Sequence, residues 1–493
     1  MNSNQQKAIV IGAGIAGIAS SIRLAVKGYD VLVLEKNAYP GGKLSEITLG
    51  GYRFDAGPSL FTMPEFVEEL FALAGKKTSD FFEYEKHDTC CHYFWNDGTF
   101  LKAYSDKEKI ASEIDTIFEN KGNLFLKKLE KAAFINEQVG DLFLKNSLHD
   151  VRNFLNIKTL KALFNSRKFD INTSFHQSNE NDLKEPKLVQ LFDRFATYNG
   201  SNPYKTPGIM SIIPHFEHNV GTFFPKKGMV SITNSLVELA KSLGVKFEFN
   251  SLVEEILVDN SKIVGVKMAD KIIKSDIVVS NMDVFFTYRK LLPSQKAPEK
   301  ILKQERSSSA IIFYWGVKKE FPNLDLHNIF FSTDYKKEFE SIFDKKTVGN
   351  DPTVYIHISS KCLPSDAPKN SESWFVMVNA PSNDEQNWDE LIAKTRANII
   401  EKLNRILGVS LEELIEEEGI LDPRTIESKT ASYQGSLYGT SSNSKFAAFL
   451  RHPNYKSSLK GLFFVGGSAH PGGGIPLCLL SAKIATNYVP NIS

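Results

Sequence analysis

Near its N-terminus the chain reads Gly12-Ala13-Gly14-Ile15-Ala16-Gly17, a G-x-G-x-x-G, and a carboxylate follows at Glu35, 21 residues after Gly14. Glycines at this spacing handle phosphate through the backbone. Gly12 permits a tight turn, Gly14 lets a pyrophosphate approach the main chain, and Gly17 lets helix and strand pack closely. The helix N-terminus that follows presents unpaired N–H groups. An acid about 20 residues on can accept from both ribose hydroxyls. A glycine-rich turn would also produce the motif, so its surroundings decide. Residues 8–11 read as a buried strand, and Ile18, Ile22 and Leu24 carry a helical pattern that ends near Gly28. Residues 31–34 read as a second strand running into Glu35. Strand, glycines, helix, strand and acid in register predict a dinucleotide site, and the glycines argue against reading Lys7 and residues 8–22 as a secretory leader.

Beyond Glu35 stand Pro40-Gly41-Gly42-Lys43-Leu44 and then Gly50-Gly51-Tyr52-Arg53-Phe54-Asp55-Ala56-Gly57-Pro58. A hairpin turn explains Gly41-Gly42 but not Lys43. Paired glycines followed by a base resemble the second phosphate loop of the two-dinucleotide-binding flavoproteins, which implies FAD. No second strand, G-x-G-x-x-G and helix unit follows, so no built-in nicotinamide site is expected. Toward the other end a strand runs into Gly466-Gly467-Ser468-Ala469-His470-Pro471-Gly472-Gly473-Gly474-Ile475-Pro476, with a helical pattern over 477–485. This run resembles the C-terminal signature of the bacterial-type carotenoid desaturases, the phytoene desaturase family. His470-Pro471-Gly472, Gly474-Ile475 and Ser481 match it; Gly473 departs, since another small residue is usual there. Tyr198-Asn199-Gly200-Ser201-Asn202-Pro203, Phe224-Pro225-Lys226-Lys227-Gly228-Met229 and Ser280-Asn281-Met282-Asp283 fall in the family's order. The resemblance covers nearly the whole chain, most weakly over 320–420.

The resemblance implies an α/β architecture: a Rossmann-like FAD-binding flavoprotein fold of the amine-oxidase/GDI-like superfamily, with a mixed sheet-plus-helix substrate domain. It divides the chain into FAD-binding parts at 1–75, 220–300 and 456–493, a helical substrate- or membrane-facing region at 76–219, and substrate-domain sheet and helices at 301–455. The FAD contacts it implies are Gly12, Gly14, Ala16, Gly17, Glu35, Lys36, Gly41, Gly42, Lys43, Leu44, Gly57, Pro58 and Ser59, with Val253 backbone facing the adenine. Asn281, Gly466, Gly467, Ser468, Gly474, Ile475 and Pro476 complete that set, and no metal is implied. The reaction removes two hydrogens from adjacent carbons of an apolar polyene, the flavin taking a hydride. Oxygen or a quinone would then accept the electrons. Gly473 and the run through Leu480 look closer to the hydroxycarotenoid 3,4-desaturase branch, which implies a 3,4 double bond in a 1-hydroxylated carotenoid; phytoene desaturation is the alternative. Glu217 matches an acidic position of the family and is the catalytic candidate, flanked by His215 and His218; ordinary hydrogen-bonded structural residues are the alternative. Asp193 and Arg194 are gate candidates, with a plain ion pair as the alternative. Two readings from other classes share this architecture: an amine-oxidase-like enzyme, and a flavin-free escort for prenyl chains.

Composition narrows the field further. With 59 basic and 58 acidic residues among 493, the chain carries net +1, which supplies no overall field for nucleic acid. Cys90, Cys91, Cys362 and Cys478 suggest neither a disulfide framework nor a zinc site, and a reducing compartment fits. The 36 phenylalanines against 16 tyrosines and 4 tryptophans suggest a large apolar interior, with a cavity among them. No apolar run approaches the ~18 residues of a membrane span. Between Lys121 and Asp170, however, ten Lys/Arg face five Asp/Glu, and apolar residues from Val151 to Phe164 recur at helical spacing. A basic amphipathic helix of that kind suits an anionic bilayer surface, and a surface helix packed on the core is the alternative. A carotenoid dissolves only in membrane, so the resemblance implies a cytoplasmic enzyme, peripheral on the inner face of the cell membrane.

Among the remaining elements, 65–75 and 106–170 read as mostly helical, and 90–105 as a hairpin turning at Asn96-Asp97-Gly98. Residues 228–243 read as helix; 245–249, 252–258, 262–268 and 271–279 read as strands. Residues 310–317 and 374–379 suit strands along a substrate cavity, while 388–407 and the acidic 411–418 read as helices.

Overall fold

The computed structural model describes residues 6–140, 144–150, 159, 165–444, 447 and 450–492. Most of the basic amphipathic segment expected at 151–169 therefore lies outside the described residues. Among those described, no helix is long and apolar enough to cross a membrane.

The N-terminal pattern folds as its periodicity dictates. Lys7–Ile11 is a strand, Ile15–Val26 a helix and Asp30–Leu34 a second, parallel strand. Three further strands from distant parts of the chain join them in one five-stranded parallel sheet. Its order is Leu462–Phe464, Ile277–Ser280, Lys7–Ile11, Asp30–Leu34, Lys246–Glu248. Register is the useful feature. Ile11 stands opposite both Leu34 and Ser280, Ser280 opposite Phe464, and Leu34 opposite Glu248. All five strands thus end at one level, and Gly12, Glu35, Asn281 and the loop into Gly466 emerge together at the carboxyl edge, where open α/β sheets bind ligands. Helices Ile15–Val26, Val230–Ser242 and Ile475–Asn487 bury Ile18, Ile22, Leu236, Leu239, Leu480 and Ala485 in the core on that sheet.

A seven-stranded sheet forms the other layer, in the order Ile415–Leu421, Ser309–Val317, Glu372–Ala380, Val354–Ile358, His327–Phe330, Thr89–Phe94, Phe100–Tyr104. It is antiparallel except where His327–Phe330 meets Thr89–Phe94. Side chains alternate across a strand, so each strand serves two faces. Ile311, Phe313, Trp315, Trp374, Val376 and Val378 pack with Trp388, Ile392, Ile399 and Leu403 of the helix Trp388–Leu407. Ile312, Tyr314, Phe375 and Met377 line a cavity on the opposite face.

Two elements depart from the sequence reading. Residues 411–418, expected as an acidic helix, form a short turn at Leu411–Glu413 and then the edge strand Ile415–Leu421. Two of its glutamates take specific partners across the sheet edge: Tyr52 donates to Glu416 at 2.9 Å, and Trp315 and Arg396 donate to Glu418 at 2.6 and 2.7 Å. Residues 271–279, expected as one strand, are two, Ile272–Lys274 and Ile277–Ser280, in different sheets. Ser275 makes the crossing, its one hydroxyl hydrogen shared between the carbonyls of Ile277 at 2.7 Å and Lys7 at 3.0 Å.

Candidate active site

The first glycine loop is built by close approach. A Cβ on Gly17 would stand 2.1 Å from the Gly12 carbonyl oxygen, and one on Gly14 2.5 Å from Asn281 Nδ2. The second loop lies against the first: Gly41 N–H donates to the Ala13 carbonyl at 2.8 Å, and a Cβ on Gly42 would lie 3.5 Å from Gly14 Cα. Glu35, 6% exposed, braces the first loop and the turn just after its own strand. Its Oε2 accepts from Ala13 N–H at 2.7 Å and its Oε1 from Asn37 N–H at 2.8 Å. Each oxygen keeps a lone pair for a further donor.

The C-terminal segment closes the same edge. Gly474, at φ +100°, precedes the helix Ile475–Asn487, and a Cβ there would meet nothing within 4 Å, because it borders open space. Ser468 Oγ accepts from Val284 N–H at 2.9 Å, and Ser481 Oγ accepts from Gly466 N–H at 3.2 Å. Asn281 lies between Gly14 and Gly466, and its Oδ1 is buried without a partner. An orphaned buried acceptor between glycines that leave no room for a side chain fits a ligand rich in donors and phosphate. Lys43, half-buried on the same cavity wall, donates from its ammonium to the carbonyls of Ser436 and Leu437 at 3.0 and 2.8 Å. Burial pulls that ammonium down to about 8, with Asp283 opposing the shift.

These residues line one continuous cavity of about 660 Å³. Gly14, Ala16, Gly41, Gly42, Lys43, Leu44, Gly57, Pro58, Ser59, Asn281, Gly466, Gly467, Ser468, Gly474, Ile475 and Pro476 all lie on its wall. Lys36 and Val253 are elsewhere: with Met282, Phe286 and Lys290 they line a second cavity of about 530 Å³. Lys36 Nζ donates to the Ser428 carbonyl at 2.6 Å. The two cavities flank the Glu35 strand end, as a cofactor with two ends would require. Gly12 and Gly17 are not among the lining residues and shape the first loop, and Glu35 stands at the strand end beside that loop.

Away from the glycines the wall of the main cavity is largely apolar, with Ile213, Ile312, Ile329, Met377, Ile420 and Leu421 contributing. Its aromatic lining is mostly tyrosine, and Phe216 and Phe375 are the phenylalanines among the described lining residues. The abundant phenylalanines instead fill solid cores, as with Phe94 stacked on Phe330 at 4.6 Å and Phe125 edge-on to Phe192 at 5.8 Å. The expectation that they surround the cavity is corrected: aliphatic and tyrosine side chains do.

Glu217 reaches this cavity as a paired carboxylate. Its Oε1 accepts from Arg194 Nη2 at 2.9 Å and its Oε2 from the Tyr198 hydroxyl. Arg194 also donates to Tyr198 at 2.6 Å and to Tyr93 at 2.7 Å. Burial pushes the Glu217 carboxyl up, but Arg194, His218 and the Tyr198 hydroxyl outweigh it and hold the group below the usual carboxylate range. His218 is buried against Phe125 and Phe195, and burial takes it down to about 4. His215 pairs with Asn219 at 2.9 Å and stands off the cavity wall. Asp193 also faces away, accepting from His176 and Asn179 at 2.7 and 2.9 Å, so of the two gate candidates Arg194 alone borders the cavity. The sequence reading missed the chain Ser59, Tyr355, His327: the Ser59 and Tyr355 hydroxyls lie 2.8 Å apart, and Tyr355 meets His327 Nδ1 at 2.7 Å. No motif marks it, because strand pairing brings His327 and Tyr355 together and Ser59 reaches them from a separate loop.

A parallel sheet with two glycine loops and a third glycine segment at its carboxyl edge, opening into a largely apolar cavity, defines an FAD-dependent oxidoreductase of the dinucleotide-binding flavoprotein class. Comparison with known proteins agrees. A family profile described as flavin containing amine oxidoreductase matches residues 15–490. The chain is 53% identical over 486 residues to a 1-hydroxycarotenoid 3,4-desaturase of Flavobacterium sp. (strain P99-3), covering 99% of each chain. It is 30% identical over 515 residues to a phytoene desaturase of Fusarium fujikuroi, covering 99% of this chain and 90% of the relative. Among solved structures, a putrescine oxidase shares the fold with a TM-score of 0.62 at 14% identity, covering 98% of each chain. The chain belongs to the flavin containing amine oxidoreductase family, with carotenoid desaturases among its relatives. That membership leaves the flavin-free escort reading without support.

Proposed function

We propose that the protein is an FAD-dependent carotenoid desaturase that introduces a 3,4 double bond into a 1-hydroxylated carotenoid. The observation that carries the reading is the single cavity that joins the glycine-lined edge of the parallel sheet to an apolar chamber under the seven-stranded sheet. When bound, FAD supplies a two-electron acceptor that takes hydride from carbon. The chain's own residues bind, orient and exclude water. The loops at Gly12–Gly17 and Gly41–Leu44 hold phosphate through backbone N–H groups, and Glu35 accepts from ribose. Lys36 and Val253 border the adenosine end, while Gly57, Pro58, Ser59, Asn281 and the segments at 466–468 and 474–476 hold the ring end. Ile312, Met377, Ile329 and Ile420 give a polyene an apolar wall, which fixes it without competing polar partners. Glu217, a carboxylate engaged by two donors, positions Arg194 and is a poor proton acceptor. Because a carotenoid dissolves in membrane, the same reading has the enzyme work at a membrane surface, peripherally on the cytoplasmic side, with oxygen or a quinone as the final electron acceptor.

The purified, FAD-loaded protein should be incubated in liposomes with a 1-hydroxylated carotenoid, and separately with phytoene, and the products separated by chromatography. One added double bond next to the hydroxylated end is the expected result. Conversion of phytoene through to lycopene would refute the 3,4 reading.

A further inference from the structure

Three described residues on the main cavity wall carry a buried polar side-chain atom with no partner: Asn281 Oδ1, Arg194 Nε and Asn199 Oδ1. Asn281 lies between Gly14 and Gly466 and belongs to the cofactor edge. The other two bound one short element, the 3₁₀ turn Arg194–Asn199. They are one donor and one acceptor, each residue 6% exposed. An alcohol needs both kinds of partner when it is buried.

We infer that this turn receives the hydroxyl at the end of the substrate, Arg194 Nε donating to the alcohol oxygen and Asn199 Oδ1 accepting its proton. The inference rests on the hydroxylated-carotenoid reading above. Local geometry fixes both groups in advance. Both terminal nitrogens of Arg194 are engaged, by Tyr198, Tyr93 and Glu217, whereas its Nε has no partner. Asn199 Nδ2 donates to Ser442 Oγ at 3.3 Å, which turns the amide oxygen away from that partner. Four polar groups on the same wall are matched to one another or to the turn: Ser59, Tyr355 and His327 are linked in one chain, and Glu217 is taken by Arg194 and Tyr198. The location also suits the chemistry. The 3,4 bond begins two carbons from the hydroxylated carbon, so the receptor must lie close to the reacting end of the cavity. Gly200, next to Asn199, abuts Tyr438, where a Cβ would come within 2.9 Å, and Tyr438 in turn abuts Gly473 of the C-terminal glycine run. A substrate lacking the hydroxyl would leave a buried guanidinium N–H and a buried amide oxygen unpaired. Sites built this way reject the missing hydroxyl far more strongly than apolar pockets reject a missing methylene.

The test uses FAD-loaded enzyme and the ratio of kcat/KM for a 1-hydroxylated carotenoid to that for its unhydroxylated counterpart. Asn199→Leu removes the acceptor at similar volume. Arg194→Lys keeps a cation beside Glu217 but removes the Nε–H. Each should lower the ratio roughly tenfold to a hundredfold, with the visible flavin spectrum retained. A ratio within twofold of wild type in both variants would overturn the inference. A second measurement needs no variant: a short-chain tertiary alcohol should inhibit the wild type roughly tenfold more strongly than the hydrocarbon of the same skeleton. Equal inhibition by the two would overturn the inference, including where neither variant loads FAD. A wild type that carries phytoene to lycopene fails the functional reading itself, which is a separate result.

Discussion

Replacing Glu35 with Ala tests the cofactor edge most directly. The carboxylate is buried and accepts two backbone hydrogen bonds, from Ala13 at 2.7 Å and Asn37 at 2.8 Å. Truncation leaves both donors unmatched. Asn37 is partly exposed and water can replace its partner, whereas the Ala13 N–H lies in the buried first loop, so its loss costs about 1–3 kcal/mol of apoprotein stability. Binding loses more, because the ribose hydroxyls lose their anionic acceptor. A hydrogen bond to a charged group contributes about 1.5–3 kcal/mol, so FAD affinity should fall roughly tenfold to a hundredfold. Glu35→Gln keeps one oxygen but turns an NH₂ toward one of the two N–H groups, and should lose affinity by an intermediate amount. Flavin fluorescence quenching on titration gives the affinity, and thermal unfolding of the apoprotein gives the stability. A drop in stability with unchanged affinity would make Glu35 a loop brace alone and refute its ribose role.

On the proposed placement of the flavin ring beside Lys43, Lys43→Met removes a nearby cation and should lower the flavin reduction potential measured by spectroelectrochemistry. Lys43 is lowered to about 8 by burial, below its unfolded value of 10.5, so the folded state releases this proton first and Lys43 favours folding more as pH rises from about 8 toward 10.5. Thermal unfolding should show that segment of the pH profile in wild type and not in Lys43→Met; identical profiles would contradict the burial argument. Gly473→Ala would bring a Cβ within 2.8 Å of Tyr438 Cα, so the Tyr438 segment must shift, at a cost of about 1–3 kcal/mol in a denaturant titration. Glu217→Gln should lower stability, toward about 3 kcal/mol for a broken buried pair, while single-turnover flavin reduction stays within about tenfold of wild type. A loss of 10²–10⁴-fold in a folded variant, the range of general acid–base catalysis, would return Glu217 to a proton-transfer role.

Much of the cofactor edge was legible in the chain itself because its parts are local. Gly12, Gly14, Gly17 and Glu35 fall within one strand, helix, strand unit, and each residue's job follows from backbone geometry over a few residues. The strands at 309–317 and 372–380 were legible for a similar reason, being short buried runs too brief for helices. The edge strand Ile415–Leu421 was not, because Glu416 and Glu418 look like a solvated helix until Tyr52, Trp315 and Arg396 are known to meet them.

The cavity was decided by tertiary structure. Phenylalanine abundance fixes how much apolar volume must be buried but not whether it encloses space, and the phenylalanines pack against one another while tyrosines and aliphatics border the void. Glu217 likewise appeared as an acid beside two histidines. Its role depends on Arg194 and Tyr198, which reach it from an element 19 to 23 residues away in sequence. Periodicity and motif spacing report which backbone a segment adopts and which face it buries. Whether a buried donor finds its acceptor, as Arg194 Nη2 does, or is left unmatched, as Arg194 Nε is, depends on positions fixed to within about 0.5 Å by the packing of separate elements.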